Sequence, residues 1–278
     1  GIVILVVVSF FSEGIKDWMQ TIKKPVARAQ GITREVMSGR VGDKRGGITG
    51  EIRSLIALCH AEKGTITFVI SAGERCTDIN WNGLFSSNEA IIFDEDKNFN
   101  YEQGTDTVIY GSSPPEGIPV FNFNSDEKHT DEGANNYKFD SGENIIKDAN
   151  DNNQYDTGET VLSGNAPANG TKIVPFGKTI TYFLDRANRE IKRIENETQI
   201  KTVGKDILVD AENNSFGLEF RYFGSGTTGG DELTSLPLTL TDRQSVCFIE
   251  IRVATDVDND QKSDFALKTK VFPRKCGL

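Results

Sequence analysis

Near the C-terminal end of the chain, two runs alternate apolar and polar residues, and an acidic loop joins them. In SVCFIEIRVAT (245–255), Cys247, Ile249, Ile251 and Val253 alternate with Phe248, Glu250 and Arg252. In FALKTKVF (265–272), Phe265, Leu267, Thr269 and Val271 alternate with Lys268 and Lys270. Successive side chains of a strand point to opposite faces, so a period of two predicts an antiparallel pair with one face buried. The runs 65–71, 90–93, 106–110, 119–123, 178–185, 190–195 and 215–223 predict further strands. The 27 glycines, with abundant Asn and Asp, supply the turns of a β-rich body.

The start of the chain has a different texture. In GIVILVVVSFFSEG (1–14) only Ser9 interrupts the apolar run from Ile2 to Phe11. Crossing a bilayer core takes about 20 helical residues, so this is half a span. Ile15, Trp18, Met19 and Ile22 then recur at helical spacing, the mark of an amphipathic helix. Pro25 is expected to kink or end it, and 25–40 to continue the rod weakly. GDKRGG (42–47) is a break, and a second helix is expected over 49–63, with Ile52, Leu55, Ile56 and Cys59 on one face. The predicted layout is an α+β chain: a helical stem over 1–40 and a β-rich antiparallel head over 41–278. A polar insertion, about 124–170, interrupts the head. No repeat of fixed period stands out.

Lys and Arg number 31 against 41 Asp and Glu, a net charge of -10. Such a surface repels phosphate backbones and argues against nucleic acid as a partner. The cysteines are Cys59, Cys76, Cys247 and Cys276, which allow three pairings and lack zinc-site spacing. The simplest pairing is local, Cys59 with Cys76 and Cys247 with Cys276. Each such disulfide would contribute about 3 kcal/mol and requires an oxidising compartment. The alternative is buried thiols.

Three acidic loops point to calcium, which takes oxygen ligands from positions 1, 3, 5, 7, 9 and 12 of a twelve-residue loop. In DANDNNQYDTGE (148–159) these positions are Asp148, Asn150, Asn152, the Gln154 carbonyl, Asp156 and Glu159. Position 6 is Asn153, a residue that tolerates the left-handed turn. DVDNDQKSD (256–264) offers Asp256, Asp258, Asp260, the Lys262 carbonyl and Asp264, but position 12 is Leu267. DEDKNFNYE (94–102) offers Asp94, Asp96, Asn98 and Glu102. The competing reading for each is a solvated turn, since Asp and Asn favour turns by themselves.

Nothing in the sequence assembles a catalytic site. Nucleophilic catalysis wants a Ser or Cys beside a His and a carboxylate. His60 and His129 are the two histidines, the first read as a packed or surface side chain and the second as a solvated turn residue. No nucleophile elbow, zincin helix, Walker loop or dinucleotide fingerprint occurs, and GSGTTGG (224–230) opens no helix. The chain is read as a non-enzyme without a small-molecule substrate.

ITYFLDRANREIKRIEN (180–196), VGKDILVDAENNSFGLEFRYF (203–223) and VCFIEIRVATDVDNDQKSDFALKTKVFPRK (246–275) resemble the C-terminal half of a group within the type IV pilin and type II secretion pseudopilin superfamily. That group comprises the J-type minor pseudopilins and W-type minor pilins, and FDEDKNFNYEQGTDTVIY (93–110) resembles its acidic turn leading into a strand. The resemblance implies a filament subunit that assembles with other pilin subunits through its N-terminal helix. It also implies residence in the inner membrane before assembly and in a periplasmic or extracellular filament afterwards. On this reading the run 1–14 is the exit half of a longer helix, and calcium stabilises the head. The alternative is a calcium-dependent surface adhesin or binding module.

Overall fold

The computed structural model describes residues 25–39, 47–79, 85–96, 98–124, 126–131, 139–140, 142–150, 152–224 and 230–273. Over these residues the protein is antiparallel β-structure with three short helices, at 25–38 (α1), Gly47–Arg53 (α2) and Leu240–Ser245 (α3). This overturns the α+β architecture built on a long N-terminal helix. The predicted stem, Ile2–Phe11 included, falls mostly outside the described residues. None of the described helices is long and apolar enough to cross a membrane, so the expected inner-membrane anchoring, and the localisation built on it, loses its support.

A five-stranded sheet runs in the order β1 (Leu55–Ala61), β2 (Thr65–Ile70), β11 (Lys178–Asp185), β12 (Glu190–Glu195) and β13 (Gln199–Gly204). A second sheet has the order β17 (Glu232–Leu233), β16 (Leu218–Gly224), β18 (Val246–Thr255) and β19 (Phe265–Val271). The pair expected from period-two patterning forms as β18 and β19, in register from Ile249↔Val271 to Thr255↔Phe265. Ile249, Ile251 and Val253 are fully buried and join Phe68, Ile180 and Phe220 in one core shared by the two sheets. Val36 and Met37 of α1 and Ile48 and Ile52 of α2 close the same core. The helix expected over 49–63 stops at Arg53: Leu55 to Ala61 instead pair with Ile70 to Ile66 as a hairpin, because a tertiary partner overrides a helical pattern. Helix α1 lies against this body: Thr33 Oγ1 is 3.4 Å from Thr255 Oγ1, and Arg28 pairs with Asp206 before β14 (Val209–Asp210), which joins β15 (Ser215–Phe216).

Between β2 and β11 the chain forms two more four-stranded sheets rather than one polar insertion. The first comprises β3 (Glu74–Thr77), β4 (Ile91–Phe93), β5 (Thr107–Tyr110) and β6 (Val120–Phe121), in the order β5-β4-β3-β6. The second comprises β7 (Glu127–Thr130), β8 (Ile145–Lys147), β9 (Thr160–Ser163) and β10 (Ile173–Pro175), in the order β9-β8-β7-β10. Their registers match pair by pair. Glu74, Arg75 and Cys76 face Phe93, Ile92 and Ile91; Glu127, Lys128 and His129 face Lys147, Ile146 and Ile145. A register shift recurs at Ile91/Ile92 and at Ile145/Ile146. The chain therefore carries an internal duplication, contrary to the absence of a repeat expected above.

The two modules meet about a pseudo-two-fold axis. Phe123 of the first stacks on Phe176 of the second with centroids 3.5 Å apart, and these are equivalent positions. Tyr110 and Ser163, also equivalent, share a hydrogen bond of 2.9 Å. Glu74 accepts from the Phe139 and Gly177 N–H groups, and Glu127 accepts from those of Phe85 and Asn124. Each module's glutamate thus holds a phenylalanine amide of the other. Burial pushes the Glu127 carboxyl up from its ordinary value, against those backbone donors. His129, read from sequence as a solvated turn, is fully buried in β7, where its ring packs against Phe139 and Phe176.

Candidate functional site

Each of the three acidic loops leaves a sheet through a buried aspartate. Asp94 follows β4, Asp148 follows β8 and Asp256 follows β18, and all three are fully buried. In every loop this carboxylate accepts the N–H groups of positions 5 and 6: Asn98 and Phe99, Asn152 and Asn153, Asp260 and Gln261. Position 6 is left-handed each time, with φ of 66° at Phe99, 62° at Asn153 and 65° at Gln261. Position 3 accepts from position 5, and position 5 from position 7, in all three. The spacing of Asp and Asn therefore builds one turn three times, with side-chain oxygens replacing the backbone acceptors of regular structure.

The loops close differently. In 94–106 the closing carboxylate is Asp106, which the sequence reading missed: it accepts from Glu95 and Glu102 N–H. The expected ligand Glu102 instead takes the Asn98 amide at 2.8 Å. In 148–159 Glu159 closes, accepting from Ala149 and Asp156 N–H. In 256–264 Asp264 closes at position 9, accepting from Val257 N–H, so no carboxylate is needed at Leu267.

Carboxylate oxygens converge in two of the loops. Those of Asp94, Asp96 and Asp106 lie within 4.8 Å of one another, as do those of Asp256, Asp258 and Asp260. Like charges so close favour a divalent cation among them, and hard oxygen donors suit calcium. The loop 148–159, the fullest match by sequence, holds no such cluster among the described residues. Asn150 and Asn152 turn their amide nitrogens onto Asp156 Oδ2, at 2.7 and 2.8 Å. Gln154 forms a bridge to Lys172. Asp148 Oδ2 is taken by the ammonium of Lys128 at 2.7 Å.

A basic side chain lies behind each position-1 aspartate, and none of the three was singled out from sequence. Arg75 Nε bonds Asp94, Lys128 Nζ bonds Asp148, and Arg189 Nη2 pairs with Asp256 at 3.0 Å. Arg75 and Lys128 occupy the same position of the two modules. Desolvation outweighs the neighbouring acids at Arg75, whose guanidinium falls below its ordinary value. At Asp256 burial raises the carboxyl despite Arg189.

The cysteines do not form the local disulfides. Cys76, in β3, and Cys247, in β18, are thiols, which removes both Cys59–Cys76 and Cys247–Cys276; Cys276 lies outside the described residues. Burial pushes the Cys76 thiol far up, which makes it unreactive. Of the histidines, His60 pairs with Glu62 at 3.3 Å, and His129 Nδ1 contacts Glu143 and the Thr130 carbonyl. No family model matches the chain, and neither a curated protein nor a solved structure matches it.

Proposed function

We propose that the protein is a structural subunit of a pilin-like filament or secretion pseudopilus whose β-body is ordered by calcium at 94–106 and 256–264. The observation that carries the calcium part is the convergence of three carboxylates in each of these loops, on a turn scaffold of hydrogen-bonded Asp and Asn. The subunit part rests on the strand patterns quoted above, which resemble that superfamily. A calcium-dependent binding module is the second reading, and the same loops favour it.

Calorimetric titration with calcium tests the ion. Two saturable sites are expected, and a rise in melting temperature that Asp258→Ala and Asp96→Ala each reduce. A site filled to about 100 times its dissociation constant stabilises by about 2.7 kcal/mol. Absence of both heat and stabilisation refutes the calcium reading. Recovery of the chain in sheared, pelleted filaments tests the subunit reading. Its consistent absence from them, with calcium binding intact, leaves the binding module.

A further inference from the structure

Helices α1 and α2 and the β13 edge of the five-stranded sheet border a cleft of about 540 Å³, a volume within the range of small-molecule sites. A cross-strand row lines it. Tyr182, Arg193 and Lys201 stand directly opposite one another on β11, β12 and β13, and directly opposed residues share a face of the sheet. Glu51 of α2 serves the first two, accepting from the Tyr182 hydroxyl at 2.7 Å and from Arg193 Nη2 at 2.9 Å. Lys201 ends the row. Ile32 and Val36 of α1 and Val203 of β13 supply an aliphatic wall. The helix closes on the strand at Gly204, where a Cβ would lie 2.5 Å from Val36 Cγ2.

The pairing of charges decides what such a cleft takes. Arg193 is matched by Glu51, and Arg28 by Asp206 at 2.7 Å. Lys205 lies 3.5 Å from Glu190, and Glu35 has a partner of its own. Among the described residues, Lys201 is the one charged side chain of this lining that meets no opposite charge. A single unmatched ammonium beside an aliphatic wall fits a monoanion with an apolar body.

We propose that the cleft binds a small aliphatic carboxylate, with its carboxylate on Lys201 and its chain against Ile32, Val36 and Val203. The bound anion completes the row, as Glu51 does for Tyr182 and Arg193. A lysine on an edge strand also guards that edge against pairing with another chain. Guarding alone, however, calls for neither a cleft nor an aliphatic wall beside the ammonium. The cleft shares no residue with either carboxylate cluster, so its failure leaves the calcium reading standing, and the reverse holds too.

The experiment follows the amide chemical shifts of the full chain during titration with octanoate and, separately, with 1-octanol, which has the same chain without the charge. Octanoate is expected to give saturable shifts centred on 32–36 and 201–205. Octanol is expected to bind at least about fivefold more weakly, the scale of an exposed ion pair. Lys201→Met keeps an unbranched side chain without the ammonium and is expected to weaken octanoate by the same factor while leaving octanol unchanged. Lys201→Arg is expected to retain octanoate. Absence of saturable shifts overturns the proposal, as does equal affinity for the two probes or octanoate binding that Lys201→Met does not weaken.

Discussion

Glu51 shows how single buried charges hold this body together. It is 3% exposed in α2, accepts from the Tyr182 hydroxyl at 2.7 Å and takes both Nε and Nη2 of Arg193. Removing Glu51 leaves the buried Arg193 guanidinium with Glu195 as its remaining carboxylate, at 2.8 Å, and its Nε and Nη2 without their acceptor. Glu51→Ala is therefore expected to destabilise by about 3–5 kcal/mol, measured by urea denaturation. Tyr182 and Tyr222 give a pH dependence. Burial is the main cause that pushes both phenols well above their ordinary value of 10.0, and Tyr222 donates to the Glu62 carbonyl. Unfolded tyrosines ionise near that value while the folded ones stay neutral. The stability present below pH 10.0 is thus lost as pH rises toward the folded values, and Tyr182→Phe with Tyr222→Phe is expected to flatten that loss in alkaline melts.

Among the elements, the acidic loops depend most on their closing carboxylates. Asp106 holds two backbone N–H groups, and hydrogen bonds to a charged group are worth about 1.5–3 kcal/mol each. Asp106→Ala is expected to release 94–106 to fast hydrogen exchange while leaving 148–159 protected. An equal loss in both loops would show that the modules do not open separately. These loops mark what was legible in the sequence. Asp94, Asp148 and Asp256 stood out because an EF-type spacing needs no partner from elsewhere. Asp106 did not, since it closes its loop one residue beyond the expected twelfth position. Strands with an apolar alternation, such as β11, β12, β18 and β19, were equally plain. β3 and β7 were not: ERCT and EKHT bury Glu74, Arg75, Glu127 and Lys128, whose charges are satisfied by residues far along the chain. The duplication was hidden for the same reason, because many of its shared positions, such as Asp94 and Asp148 or Asn98 and Asn152, are Asp and Asn, which read as loop.

Over the described residues, a pseudo-symmetric pair of modules between β2 and β11 adjoins a body built on two larger sheets. The Phe123–Phe176 stack sits on the pseudo-axis, so truncating either ring should cost about the same, roughly 3–5 kcal/mol, by denaturation. The double variant should cost clearly less than the sum, since each ring's main partner is the other. Additive losses would place the rings outside a shared interface. The reciprocal grip of Glu74 on Phe139 and of Glu127 on Phe85 carries a kinetic consequence. Neither half of 74–176 acquires its last backbone partner until the other half is in place, so the duplicated segments gain order together. The two halves are thus tied through these glutamates, and loss of either one leaves a phenylalanine amide of the other half without its acceptor.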